Sequence, residues 1–239
     1  FVSVHSGANN AKAGIVALDG TVDEDVAQAH AGGSSTGNNY GYENDDSFKE
    51  PTKYIGKRYI KQEADEMTTD FGWHFKEQEE GKYRRVVPSP MPEYIMHGKS
   101  IKALVDRGTI VIASGGGGIP VYNNSVGKLE GLDAVIDKDY SAAKMGRIIR
   151  AHELWIITDV DAVYKNFGSS NQKRVSSMTK KEAEKLYDEG LFQKGSIAPK
   201  VRAAIHFLKH HGNKVIITSI PHIEDALNGS AGTEIRNEA

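Results

Sequence analysis

The sequence predicts an α/β fold in which a parallel sheet is covered by helices on both faces. Three apolar runs carry that expectation: Thr109-Ile110-Val111-Ile112-Ala113, Leu154-Trp155-Ile156-Ile157-Thr158 and Lys214-Val215-Ile216-Ile217-Thr218. Each is apolar along its length instead of alternating, as a strand buried on both faces must be. Helical patterns separate the runs, and strands alternating with helices build parallel sheets. In such sheets a ligand sits beyond the carboxyl ends of the strands. The polar residues to inspect are therefore 114–118, 158–161 and Thr218-Ser219.

Composition narrows the class. A chain of 239 residues suits one large domain, or a core with a small subdomain. The formal net charge of -2 provides no global field toward nucleic acid or membrane. The absence of cysteine excludes disulfides, a thiolate nucleophile and a cysteine zinc site. No apolar run approaches the ~20 residues of a membrane span. The N-terminus shows no basic stretch followed by an apolar one, so no signal peptide is expected. The expectation is a soluble, cytoplasmic protein.

In chain order, residues 1–47 form a short atypical N-terminal segment. Residues 1–4 and 15–18 read as short strands, and residues 31–39 are Gly, Ser, Thr and Asn without an apolar anchor, which reads as a loop or linker. Because a parallel sheet lacking a strand leaves an unpaired edge, residues 1–20 are expected to supply at least one strand, or a partner to cover the gap. Residues 48–92 read as a small protruding lobe. It has extended chain over 48–56, a short helix over 61–67, and a β-hairpin whose arms, 73–76 and 83–87, flank Glu79-Glu80-Gly81. Residues 93–239 form the α/β core. Ile95, Ile101, Leu104 and Val105 mark one helix, and Met145, Ile148 and Ile149 another over 139–151. Thr179 with Glu182 is a capping box that opens a third. Val201, Ala204, Ile205 and Leu208 follow i, i+3, i+4, i+7, and Pro221 opens a last short helix.

Candidate chemistry lies at three places. Gly115, Gly116, Gly117 and Gly118 follow the first apolar run and leave backbone amides bare, which makes either a loose turn or an oxyanion site. Asp133-Ala134-Val135-Ile136-Asp137-Lys138-Asp139 sets carboxylates around Lys138 directly before a helix. It reads as a solvated acidic surface, or as Asp137 or Asp133 holding Lys138 toward an anion. Lys194 and Lys200 flank Gly195-Ser196 where Pro199 starts a helix, which gives solvated lysines or an anion site at a positive helix end. Asp159 and Asp161 have no spacing partner for a metal site, and no metal ligands are assigned.

Taken together these motifs resemble carbamate kinase, in the amino acid kinase superfamily. The resemblance runs from about Asp46 to Ile235. It is carried by Phe48 to Gly56, Tyr83 to Pro90, Ser114 to Pro120, Asp133 to Asp139, Thr158 to Asp161, Lys194-Gly195-Ser196 with Pro199-Lys200, and Gly232 to Ile235. It implies a three-layer α/β/α sandwich with a mostly parallel sheet and a small flap subdomain over the cleft. It implies reversible phosphoryl transfer between carbamoyl phosphate and ADP, giving ATP and carbamate with Mg²⁺, in arginine metabolism of the deiminase type, by a homodimer. Carried over by position, Lys138, Lys194 and Lys200 contact phosphates, Asp133 orients lysines, and Lys53 reaches from the flap. Thr158, Asp159 and Val163 lie near the nucleotide, and Gly115 to Gly118 near the phosphates.

The chain departs from the family at its start. The family's Gly-Gly-Asn and Ser-Gly-Asn-Gly-Pro loops, which form the carbamate half of the site, are not recognisable here, and the segment before Asp46 is much shorter than the family's N-terminal half. The alternative function is a catalytically impaired relative that still binds adenine nucleotide.

Overall fold

The computed structural model of the chain describes residues 2–5, 27–28, 34–38, 45–114, 116–124, 126–192, 197–210 and 212–238. Its first strands are β1 (Val2–His5), β2 (Ala27–Gln28) and β3 (Ser34–Asn38). The lobe follows, with β4 (Lys53–Tyr59), α1 (Lys61–Phe71), β5 (His74–Glu79) and β6 (Lys82–Val87). Next come β7 (Tyr94–Ile95), α2 (Gly98–Val105), β8 (Val111–Ile112), β9 (Pro120–Asn123) and β10 (Leu129–Gly131). The core continues through α3 (Lys138–Ile149), β11 (Glu153–Thr158), β12 (Val163–Lys165), β13 (Lys173–Val175), β14 (Ser177–Thr179) and α4 (Lys180–Asp188). It closes with α5 (Ile197–Leu208), β15 (Lys214–Ser219), a 3-10 turn (Ile220–His222), α6 (Ile223–Leu227) and β16 (Thr233–Arg236).

The central sheet has the order β1-β11-β15-β16-β14. β1, β11 and β15 run parallel, with Val2 opposite Leu154 and Leu154 opposite Val215. β16 is antiparallel to β15 and parallel to β14, so the sheet is mixed at that end. Alternation along the strands covers both faces. Leu154, Ile156, Val215 and Ile217 point into the main core with Met145 and Ile149 of α3 and Val201, Ala204 and Phe207 of α5. Trp155, Ile157 and Ile216 point the other way, onto Ala226 of α6. This is the α/β arrangement read from the apolar runs. α3 and α5 cross where Gly146 faces Phe207; a Cβ at Gly146 would stand 2.7 Å from the Phe207 ring. The missing methyl lets the two helices that carry the site approach closely.

The lobe is a three-stranded antiparallel sheet, order β4-β6-β5, with α1 against it. The hairpin lies where the alternation placed it, and the helix runs four residues beyond the predicted end, to Phe71. In the core, the capping box forms as expected: Glu182 N–H donates to Thr179 Oγ1 at 3.2 Å, and Thr179 N–H donates to Glu182 Oε2 at 2.7 Å.

Two expectations change. The apolar run at 109–113 is not a third long strand of the central sheet. It contributes only β8, which pairs with β2; at Ser114 the backbone turns left-handed, φ +65, and leaves the strand path. The 31–39 stretch is not only a loop: β3 pairs antiparallel with β7 and parallel with β9. Backbone pairing needs no apolar side chain, so composition gave no sign of it. The described strands of residues 1–47, β1, β2 and β3, each enter a different sheet. β1, parallel to β11, is a strand of the kind expected of residues 1–20, whereas the strand expected at 15–18 lies outside the described residues.

Candidate functional site

The site is built on the first turn of α3. Asp137 is the helix N-cap, and its Oδ1 accepts the Asp139 N–H at 2.9 Å. An N-cap carboxylate satisfies an amide that the helix leaves open. The other oxygen, Oδ2, receives Lys53 Nζ at 2.6 Å, from the first residue of β4 in the lobe. Two residues further on, Asp139 Oδ2 receives Lys200 Nζ at 3.0 Å, from the first turn of α5. One helix start thus gathers ammonium groups from the lobe and from a second helix.

Burial makes these contacts consequential. Asp137, Asp139 and Lys200 are 6%, 2% and 5% exposed. Burial pushes the Asp137 carboxyl up, but the charge and hydrogen bond of Lys53, the Asp139 amide and the charge of Lys138 together hold it below the ordinary carboxylate value. For Asp139 burial prevails, and the neighbouring Asp137 charge adds to it, so its pKa is raised despite Lys200 and Lys138. Asp139 Oδ1 is buried with no hydrogen-bond partner. Lys138 is half-buried between the two carboxylates in sequence and makes no ion pair among the described residues.

The glycine turn docks on the same helix start. Gly117 N–H donates to Ser114 O at 2.8 Å, and Ser141 Oγ of α3 donates to Gly117 O at 2.7 Å. Gly117 has φ +131, and a Cβ there would lie 2.1 Å from Ile136 O. No side chain fits, so glycine is what allows the turn to lie against residues 136–137. Ser114 Oγ is buried and without a partner, in a residue that holds φ +65. Unsatisfied buried groups and unusual backbone angles of this kind gather at working sites.

A cavity of about 530 Å³ opens at the carboxyl ends of β11 and β15, between residues 158–161 and 219–222. Thr158 Oγ1 donates to Asp159 Oδ1 at 2.9 Å, and Asp161 accepts the Tyr164 hydroxyl at 2.9 Å. Val160, Ile220 and Pro221 give it apolar wall. The volume lies within the usual range for small-ligand pockets, about 300–1,000 Å³.

The structure brings Lys53 and Lys200 to the helix start that carries Lys138, with Gly117 packed beside it and Gly116 and Gly118 flanking Gly117. Thr158 and Asp159 line the cavity. Lys194 and Gly115 lie outside the described residues. Asp133 is differently placed: its side chain is 74% exposed and paired with Arg85 of β6, not with a lysine. Asp137, which the sequence offered beside Asp133 as a partner for Lys138, holds Lys53 instead, and Asp139 holds Lys200. Val163 does not line the cavity: it is fully buried, and its N–H donates to Thr233 Oγ1 at 2.8 Å. Sequence reasoning missed Asp139 as a lysine partner, because the three nearby acids differ only in burial. It singled out Ser219 but missed His222, whose one signal is its place just past an apolar run.

What this arrangement can do is hold and neutralise a polyanion. Ammonium groups anchored by carboxylates keep their charge and position, and bare amides donate to oxyanions. Phosphoryl transfer asks for little else, since positioning and charge stabilisation account for nearly all of its catalysis.

Comparison with known proteins shows the family. The sequence model of the amino acid kinase family matches residues 52–219. The chain is 46% identical over 195 residues to carbamate kinase 3 of Staphylococcus aureus, covering 81% of this chain and 62% of that protein. It is 46% identical over 192 residues to the carbamate kinase of Thermoplasma volcanium, covering 80% and 62%. The chain therefore spans under two thirds of the length of these relatives. Among solved structures, carbamate kinase from Giardia lamblia bound to AMP-PNP superposes with a TM-score of 0.77 at 34% identity, covering 89% of this chain and 66% of that one. A protein of Aeropyrum pernix K1 superposes with a TM-score of 0.78 at 34% identity, covering 89% and 67%.

Proposed function

This chain belongs to the amino acid kinase family, and from that premise we propose that it acts as a carbamate kinase, moving a phosphoryl group reversibly between carbamoyl phosphate and ADP to give ATP and carbamate. One observation carries the reading. Lys53 and Lys200 reach Asp137 and Asp139 at a single helix start, beside a turn whose Gly117 admits no side chain.

The roles follow from position. Lys200, fixed on Asp139, neutralises charge on the transferring phosphoryl group. Lys138, at the same helix start, does the same from the adjacent position. Lys53 brings the lobe down onto the site and carries its charge to the phosphoryl oxygens. The turn brings Gly116 and Gly118 beside them, with the Gly117 amide committed to Ser114 O. Lys194 and Gly115 belong to this set by resemblance. The nucleotide occupies the cavity at residues 158–161 and 219–222, and the AMP-PNP held by the Giardia relative supports a nucleotide partner.

Mg²⁺ fits the same place. Ions of its size are held by one or two carboxylates plus phosphate oxygens, and Asp139 Oδ1 is a buried oxygen without a partner. When bound with nucleotide it spreads phosphate charge. The protein's own contribution is to hold lysines and amides in place before substrate arrives.

A deiminase-type arginine pathway, a cytoplasmic site of action and a homodimer accompany this reading. No helix among the described residues is long and apolar enough to cross a membrane. The deciding experiment is ATP formation from carbamoyl phosphate and ADP by the purified chain, monitored with a coupled assay. Turnover supports the kinase. A second reading, nucleotide binding without turnover, rests on the acceptor-site loops that the sequence does not show in recognisable form. ADP binding in a calorimeter with no ATP formed would select it.

A further inference from the structure

The cavity at the ends of β11 and β15 contains a contact that the lysine cluster does not explain. Ser219 closes β15 and stands at the N-cap of the 3-10 turn Ile220–His222. A serine there ordinarily accepts an amide of the turn. Ser219 makes no such cap bond. Its hydroxyl lies instead 2.8 Å from His222 Nδ1, with Ser219 only 5% exposed. His222 is itself the N-cap of α6 and makes no cap bond either. Two successive cap positions thus leave their helical amides uncapped by side chains, and both side chains serve to fix one imidazole at the cavity wall.

A fixed ring on one wall suits a flat ligand. Nδ1 is engaged by serine, which limits rotation of the ring. The neighbouring wall, Ile220 and Pro221, is apolar. Across the cavity stand the carboxylates of Asp159, whose Oδ1 accepts Thr158 Oγ1, and of Asp161, which accepts the Tyr164 hydroxyl and has Arg174 Nε 3.7 Å away. These accept hydroxyl donors such as those of a ribose and repel phosphate, so a nucleotide's phosphates turn away from them and its base is left to the 219–222 side. Resting on the reading of this cavity as the nucleotide site, we propose that His222, held by Ser219, is the base-contacting residue that favours a purine. Stacking needs no hydrogen-bond code; it grows with the overlapping ring area, which is larger for a purine than for a pyrimidine.

Calorimetry on the whole chain with ADP, GDP, CDP and UDP tests this, using wild type, His222→Ala and His222→Phe. The wild type is expected to bind ADP and GDP more tightly than CDP and UDP. His222→Ala should weaken ADP about tenfold, in the range that loss of one aromatic stack produces, and weaken CDP less. His222→Phe should restore most of the ADP affinity, because it keeps a ring and loses only the ring nitrogens. Ser219→Ala, which frees the imidazole, should fall between. If His222→Ala binds ADP within about twofold of wild type, or weakens purines and pyrimidines alike, the inference is overturned while the nucleotide site stands. If the wild type binds none of the four, the nucleotide reading fails, and this inference with it.

Discussion

Lys200 of α5 and Asp139 of α3 meet at 3.0 Å with side chains 6% and 3% exposed, deep between two helices. Removing both charges from water costs several kcal/mol per ion in general, and a well-packed apolar pair often serves stability as well. Such a pair is weak evidence for stability and better evidence for use. It places an ammonium group, with its position fixed, at the start of the helix that also receives Lys53.

Lys200→Met is expected to lower the rate of phosphoryl transfer by at least about 10²-fold, the scale for losing one preorganised charged donor. It also leaves Asp139 buried without its cation, costing about 3–5 kcal/mol in unfolding experiments. The Asp139 pKa, already raised, rises further. The folded variant then binds a proton that the unfolded chain releases above its ordinary carboxylate value, so stability falls as pH rises past that value. The double variant Lys200→Met with Asp139→Asn should recover stability and not activity. Equal recovery of both would remove Lys200 from the site.

Asp137 behaves with the opposite sign. Its folded pKa is lowered from 3.8, so its contribution is present above that value and lost as pH falls through the lowered one. Asp137→Asn should destabilise the chain at neutral pH by about 1–3 kcal/mol, between the values for exposed and buried pairs, because Lys53 is partly exposed. It should also flatten the acid limb of the stability curve. Urea unfolding from pH 3 to 7 measures both, and an unchanged acid limb would show that the pair does not govern it.

Gly117→Ala should be among the most damaging small substitutions. Its Cβ would sit 2.1 Å from Ile136 O at φ +131, against backbone that cannot swing aside. The expected cost is at least about 2–3 kcal/mol, from strain and overpacking together. Anion binding should weaken even where the fold survives at low temperature, and thermal melts with and without ADP read both effects.

Asp133→Asn separates two placements of one residue. A lysine-orienting Asp133 predicts a large loss of activity. In the structure it pairs with Arg85 on the surface, while Arg85 also lies over the Trp73 ring at 4.0 Å. An exposed pair contributes up to about 1 kcal/mol, so kcat should change by less than about tenfold. A loss of 10²-fold or more would return Asp133 to the catalytic set.

Much of this was legible in sequence. The runs at 154–158 and 214–218 are strands of the central sheet, because continuous apolarity has few other stable uses. The hairpin and the capping box were legible for the same reason: each depends on residues close in sequence. β3 was not, since a Gly- and Ser-rich strand is held by partners at 94–95 and 120–123. β8 was overread, since apolarity reports burial and not the sheet that provides it.

By itself the sequence determined which residues are chemically able to act: the lysines, the acids around Lys138 and the glycines after an apolar run. These follow from local composition and spacing. Only the tertiary structure decided which acid holds which lysine. Asp133, Asp137 and Asp139 share one charge and one short segment, yet the first faces solvent while the others are buried opposite Lys53 and Lys200, which lie 84 and 61 residues away along the chain. Burial and long-range proximity are properties of the folded core, and they decide which of three like carboxylates is bound to a cation.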